Sequence, residues 1–181
     1  MSRINVVDHP NANADQKALL KAIESQLGMV PNFLKVMANS PAALRSFMGL
    51  HEISAEGSLD PQTRERIALA LAQQNSCEYF LSAHTAIGRK AGLDSAEIEA
   101  NRSGTSQDSK AAVAVEFARA VAARGGEVTD AEILKVRDAG YSESDIVEII
   151  THVGMNLLTN ILAKASRVEI DFPKVELQQA A

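Results

Sequence analysis

Residues Asn75 to Ile98 read NSCEYFLSAHTAIGRKAGLDSAEI, and the second half of this stretch decides the fold class. A helical run reaches Gly92, a residue type that accepts the left-handed backbone closing a helix. Asp94 follows as a capping residue with an acid, Glu97, three positions later, so a second helix starts almost at once. Leu93 before the cap and Ile98 after it form the apolar pair that fixes the angle at which the chain enters that helix. A helix that stops and restarts within three residues is an αα-corner, which leaves no room for a strand between.

The same punctuation recurs along the chain. Thr129-Asp-Ala-Glu132 and Ser142-Glu-Ser-Asp145 repeat the cap-plus-acid spacing, with Val128/Ile133 and Tyr141/Ile146 as the flanking apolar pairs; the Asp94 and Thr129 sites are the closer to reciprocal capping boxes. Ser40-Pro41 and Asp60-Pro61 add two starts with proline at the first helical position. Helices are predicted at about 13–27, 31–38, 41–56, 61–74, 76–91, 95–101, 108–124, 130–138 and 143–165. The class is all-α, a bundle of about eight to nine helices with no convincing strand. The segment RKAGLDSAEI (89–98) aligns without gaps on RDAGYSESDI (137–146), either as a reused helix-turn-helix unit or because two well-capped corners look alike. The tail, RVEIDFPKVELQQAA, alternates and contains Pro173, so residues 168–181 are expected to form an extended arm, one that could lie on a neighbouring subunit.

A chain of 181 residues with 46% hydrophobic composition supports a single domain over 1–181. Its 18 basic and 23 acidic residues form no long like-charge block, which excludes a basic nucleic-acid footprint and a polybasic membrane anchor. The N-terminus lacks a secretory layout, and no apolar run is read as approaching the roughly 18 to 20 residues that span a bilayer. A cytoplasmic protein with no membrane and no nucleic-acid partner is the expectation. One cysteine permits no intrachain disulfide, no Cys/His cluster suggests a metal site, and no cofactor is implied.

Chemistry is concentrated in Asn75–His84. With Asn75 as cap and Glu78 reaching back, Cys77 falls in the first turn among unpaired N–H groups, a position that favours the thiolate. Phe80 is three residues after Cys77 and four before His84, so the three share a face. Glu65 on the preceding helix can orient the imidazole if the two helices pack antiparallel. The plain alternatives are a small buried hydrophobe for Cys77, a structural histidine, and a solvated Glu65 between Arg64 and Arg66. Glu148, His152, Asn156 and Asn160 recur every four residues on the last helix; His152 and Asn156 either line the same pocket or belong to a hydrogen-bond ladder. His9 and His51 have no patterned neighbours and receive no role.

Glu65, Cys77, position 80 and His84, followed by TAIGRKAGL, resemble the core motif of the AhpD-like alkylhydroperoxidases in the carboxymuconolactone decarboxylase superfamily. GMVPNFLKVMANSPAALRSF (28–47) is similar to the amino-terminal helices of that family, and ITHVGMNLLTNILAKASRVEIDFP (150–173) to the last helix and tail of its peroxidase-related branch. The resemblance implies an AhpD-like bundle that assembles as a trimer or hexamer. It also implies thiol-dependent, antioxidant hydroperoxide reduction, with Cys77, His84 and Glu65 as catalytic residues, Phe80, Tyr79 and His152 lining the pocket, and an external thiol as reductant. Peroxidases of the family carry Cys-x-x-Cys, whereas this chain has Phe80 in place of the second cysteine, so the disulfide cycle cannot close within one chain. Phe80 then marks a one-cysteine relative, a relative turned to acid–base work, or a deliberate substitution. The same residues therefore fit three activities: a hydroperoxide reductase, a cofactor-free decarboxylase or isomerase that uses His84 and Glu65 on a small carboxylate or lactone, and a non-enzymatic oligomeric binding protein.

Overall fold

The computed structural model describes residues 1–178. Among them the chain forms nine α-helices and no strand: α1 (Ala14–Leu27), α2 (Asn32–Met37), α3 (Pro41–Ser54), α4 (Pro61–Gln74), α5 (Glu78–Lys90), α6 (Ser95–Arg102), α7 (Ser109–Arg124), α8 (Asp130–Asp138) and α9 (Glu143–Ser166). A 3-10 turn at His9–Asn11 precedes α1 and had no signal in the sequence reading. Thr129/Glu132 and Ser142/Asp145 are full capping boxes, and Asn13/Gln16 is a third. Asp94 caps α6, but its box is not reciprocal. The Glu97 carboxylate turns inward instead, taking hydrogen bonds from Arg66 Nε (2.7 Å), Asn101 Nδ2 (2.9 Å), the Gln107 N–H (2.7 Å) and Ser106. It thereby holds the loop between α6 and α7.

Both predicted corners close alike. Gly92 and Gly140 take φ of 95° and 84°, and the following N–H reaches back to a carbonyl five residues earlier, Leu93 to Gly88 (2.9 Å) and Tyr141 to Val136 (3.3 Å).

Helix α4 is the hub, packing against α5, α6, α7 and α9. Its Ile67, Leu69, Ala70, Leu71 and Ala72 are all buried. One apolar cluster joins α1, α2, α3 and α5 around Leu20, Leu34, Leu44 and Leu81; a second joins α4, α7, α8 and α9 around Ile67, Ala118, Val136 and Ile149. The aromatic residues Phe33, Phe47, Tyr79 and Phe80 sit in the first.

Beyond α9 the chain runs without regular structure across its own helices. Asp171 accepts from the Asn32 N–H (2.7 Å) and from the Tyr79 hydroxyl (2.6 Å), the Val175 N–H donates to Ser82 Oγ (3.0 Å), and Arg102 donates to the Glu176 carbonyl (2.8 Å). Residues 168–178 of the expected arm have no helix or strand and lie on α2, α5 and α6 of the same chain; residues 179–181 fall outside the described residues. Helix α9 corrects one composition reading: by length and apolarity it could cross a membrane, with 44% of its most apolar window buried in the protein.

Candidate active site

Helix α4 begins at the Asp60 cap and Pro61, which places Glu65 in its second turn, facing α5. Helix α5 packs on α4 around Gly88, where a Cβ would stand in ordinary contact 3.6 Å from Leu69 Cδ1 and 3.8 Å from the Cβ of Glu65, and more tightly, 3.2 Å, against Leu93 Cδ1. One turn before Gly88, His84 Nδ1 lies 2.8 Å from Glu65 Oε2. Only the ring nitrogen can donate to an ionised carboxylate, so Nδ1 carries the hydrogen and Nε2 is left as the basic nitrogen. Each of the two side chains is 16% exposed, so the pair is largely desolvated yet reachable. The sequence expectation that Glu65 orients His84 corresponds to this contact.

A row of rings leads away from His84. Phe80 is 5.8 Å from the imidazole, Phe33 is 4.9 Å from Phe80, Phe47 is 5.6 Å from Phe33, and His51 is 6.0 Å from Phe47. Phe80 is 5% exposed and belongs to the first core cluster, so it forms an apolar wall beside the dyad. His51, given no role from sequence, ends this row. The residue is exposed as a whole, but its ring loses much of its hydration against Phe47. That loss lowers its pKa first, the neighbouring His84 and Arg64 lower it further, and Glu65 opposes them. His152 on α9 belongs to the same group: burial lowers its pKa most, and Arg64, Glu148, His51 and Glu65 are all close enough to act on it. Its Nε2 is buried without a hydrogen-bond partner among the described residues. His51, His152 and the Glu65–His84 pair, contributed by α3, α9, α4 and α5, thus act on one another electrostatically, and Arg64, whose Nη1 donates to the Ser54 carbonyl (3.3 Å) at the end of α3, acts on both His51 and His152. No cluster of three or more His, Cys, Asp or Glu among the described residues has metal-binding geometry.

Cys77 is not in that group. Helix α4 runs through Gln74 with Asn75 as its C-cap, Ser76 takes the left-handed conformation (φ 52°), and Cys77 becomes the N-cap of α5. The expected Asn75 cap and first-turn thiol are corrected: α4 ends at Gln74 as expected, Asn75 closes it instead of starting α5, and α5 begins two residues later than expected, at Glu78. The thiol is 1% exposed and points to α9, 3.9 Å from the Asn160 carbonyl oxygen. Burial pushes its pKa up; the N–H groups of Phe80 and Tyr79 and the charge of Lys164 pull the other way and do not outweigh it. The anticipated helix-end effect exists, and desolvation overrides it. A cavity of about 480 Å³ lies at this end, lined by Asn75, Ser76, Asn160 and Lys164, away from His84.

Tyr79, expected in the pocket, faces the tail. Its hydroxyl donates to Asp171 and accepts from the Phe33 N–H (3.2 Å), and its ring meets Phe172 edge-on at 5.8 Å. Burial and the Asp171 hydrogen bond raise its pKa, so it stays protonated. The four-residue line on α9 divides by function: Glu148 accepts the N–H groups of Ser58 (3.0 Å) and Leu59 (2.9 Å), His152 faces the site, Asn156 donates to the His152 carbonyl (2.8 Å), and Asn160 lies beside Cys77.

Residues 41–124, spanning α3 to α7, match the model of the carboxymuconolactone decarboxylase family. Among solved structures, an uncharacterised peroxidase-related protein from Silicibacter sp. TM1040 is 26% identical, with 93% of this chain and 94% of that chain covered and a TM-score of 0.79. The alkylhydroperoxidase AhpD core of an uncharacterised peroxidase-related protein from Ralstonia eutropha JMP134 is 22% identical, covering 94% and 92% with a TM-score of 0.83. The debrominase Bmp8 in complex with 2,3,4-tribromopyrrole has the same fold at 18% identity, 94% and 92% coverage and a TM-score of 0.77. No curated protein sequence matches the chain.

Proposed function

We propose, for a chain that belongs to the AhpD-like, peroxidase-related branch of the carboxymuconolactone decarboxylase superfamily, a cofactor-free proton-transfer activity on a small organic carboxylate or lactone. The observation that carries this reading is the 2.8 Å contact between His84 Nδ1 and Glu65 Oε2. Glu65 fixes the tautomer and steadies the imidazolium, so that Nε2 can take a proton from one carbon and return it to another. In the decarboxylase form of the reaction, the proton goes to the carbon that loses carbon dioxide. Phe80 and Phe33 keep water from the reacting carbon. Arg64, close enough to influence both His51 and His152, supplies a cation for the substrate carboxylate.

Thiol-dependent hydroperoxide reduction is the second reading, favoured by the motif position of Cys77 and by the likeness to a peroxidase-related protein. In it the Cys77 thiolate attacks the peroxide, releasing an alcohol and leaving a sulfenic acid, which two equivalents of an external thiol reduce to thiol and water. Burial and the raised pKa of Cys77 weigh against that attack in the resting protein.

Two assays on the same preparation separate the readings. Small β-keto acids and unsaturated lactones are incubated in D2O and followed by NMR for carbon-bound deuterium or carbon dioxide release, while peroxide consumption is followed with an alkyl hydroperoxide and a dithiol. The first reading expects exchange or release that is lost in His84→Gln and kept in Cys77→Ser. Peroxide turnover lost in Cys77→Ser, with no proton exchange, would replace it with the second. Silence in both assays would leave a binding protein.

A further inference from the structure

The cavity of about 480 Å³ at the end of α4 plays no part in the Glu65–His84 dyad, yet its walls carry polar groups with nothing to bind. Asn75 and Ser76, where the chain leaves α4, form one side; Leu157, Asn160, Ile161 and Lys164, in the last turns of α9, form the other. Asn160 is 1% exposed, and both its Oδ1 and its Nδ2 lack a hydrogen-bond partner among the described residues. Asn75 Nδ2 is buried and unpartnered in the same way.

Local structure offers Asn160 a bond that it does not take. One turn earlier, Asn156 donates to the carbonyl of His152, four residues back, and the Thr159 and Ser166 hydroxyls donate to carbonyls three residues back. A buried amide with neither group satisfied costs the fold stability, so its presence calls for a role outside the fold.

Lys164, one turn beyond Asn160, sets the charge. Its Nζ donates to the Asn75 carbonyl (2.5 Å), which uses one of the three ammonium hydrogens, and it forms no ion pair among the described residues. The unfilled donors are Asn75 Nδ2, Asn160 Nδ2 and Lys164 Nζ, and the unfilled acceptor is Asn160 Oδ1. Donors in excess, with a positive charge among them, recognise a carboxylate. The lone acceptor asks for one hydrogen from the same ligand. A hydroxyl supplies it without the repulsion that an ammonium would meet beside Lys164.

We infer that this cavity is a second binding site, separate from the dyad, for a small 2-hydroxy carboxylate with a short aliphatic chain. The carboxylate pairs with Lys164 and accepts from the Asn75 and Asn160 amides, the hydroxyl donates to Asn160 Oδ1, and the chain lies on Leu157 and Ile161. The cavity falls within the range of about 300 to 1,000 Å³ usual for small-molecule sites. This inference does not depend on which reaction the dyad performs.

Isothermal titration calorimetry of the full-length chain with 2-hydroxyisovalerate should show saturable binding at one site per chain. Isovalerate, which lacks the hydroxyl, and inorganic phosphate, which lacks the aliphatic chain, should each bind at least about 10-fold more weakly. Lys164→Met should weaken binding of the hydroxy acid by about 10-fold or more. Asn160→Leu should abolish it, with a Tm equal to or above that of wild type because the unsatisfied amide is gone. His84→Gln should bind as wild type does, which separates this site from the dyad. Absence of binding at millimolar 2-hydroxyisovalerate overturns the proposal, and so does phosphate binding as tightly as the hydroxy acid. Affinity that survives Lys164→Met and is lost in His84→Gln overturns it too, by moving the ligand to the dyad. Lys164 is exposed, so Lys164→Met keeps the test decisive should Asn160→Leu fail to fold.

Discussion

The Cβ that Gly88 lacks would stand 3.8 Å from the Cβ of Glu65, one helical turn from the imidazole that Glu65 holds. A single methyl would therefore fit between α4 and α5 at this level, and the branches of a larger side chain would not. Gly88→Val should force the helices apart or displace Leu93, costing about 1 to 3 kcal/mol as overpacked sites do. Proton-transfer rate should fall together with Tm. A variant with native stability and native rate would show that the dyad does not depend on this approach.

Glu65→Gln keeps the size of the side chain and removes its charge, leaving an amide that can still accept from Nδ1. Loss of a positioned acid–base partner reduces rates by roughly 100-fold or more, and Tm should change by far less than in Gly88→Val. Steady-state kinetics with paired thermal melts make the comparison. An equal loss in Cys77→Ser would point to the thiol instead.

Glu97 gives the molecule an acid limit. Burial alone would raise its pKa, but hydrogen bonds from Ser106, Asn101, the Gln107 N–H and Arg66 hold it at about 2. Because the folded value is depressed, the stabilisation is complete above the unfolded value of about 4.5 and is lost as pH falls from there through about 2. Its size is on the order of 2 to 3 kcal/mol. Denaturant melts between pH 5 and pH 2.5 should show wild type losing stability towards that of Glu97→Gln, which should itself depend less on pH.

Ser76 holds φ at 52° between α4 and α5, a region where a side chain is disfavoured. Ser76→Gly should raise stability by roughly 0.5 to 1 kcal/mol, because glycine adopts this conformation without the Cβ clash. Chemical denaturation suffices to measure it. A loss of stability would mean that the hydroxyl matters more than the backbone.

Phe80→Cys restores a Cys-x-x-Cys pair at the start of α5, with Cys77 as the N-cap. The ring touches Phe33, Tyr79 and His84, so its removal should cost about 2 to 4 kcal/mol. Non-reducing mass spectrometry should find a disulfide between Cys77 and the introduced cysteine after oxidation, and peroxide consumption with a dithiol should rise above wild type. A folded variant showing neither would remove the peroxidase reading from this site.

The helix plan was legible because its signals are local. Proline after Ser40 and Asp60, and Gly92 and Gly140 before their caps, each act within a few residues, and the observed ends fall close to the expected ones. The Glu65–His84 contact was also within reach, since both residues sit on consecutive helices. What spacing could not supply was tertiary. Cys77 was expected to be acidic from its place at a helix start, but its pKa follows from the bodies of α4 and α9 that exclude water from it. His51 looked isolated because its neighbours are 33 residues away at His84 and 101 away at His152. Glu97 left its capping box for Arg66, a partner 31 positions upstream.

The bond from the Tyr79 hydroxyl to Asp171 joins residues 92 positions apart, and the same carboxylate takes the Asn32 N–H, 139 positions away. During synthesis, then, α2 and α5 are made long before the group that ties them together. A ribosome that has just finished α8 holds a chain whose aromatic residues around Phe33 and Phe80 have yet to receive α9 and the crossing tail. Stalled or prematurely terminated products ending before residue 171 should present that sticky patch to chaperones and proteases. Asp171 thus fastens helices that left the ribosome long before it.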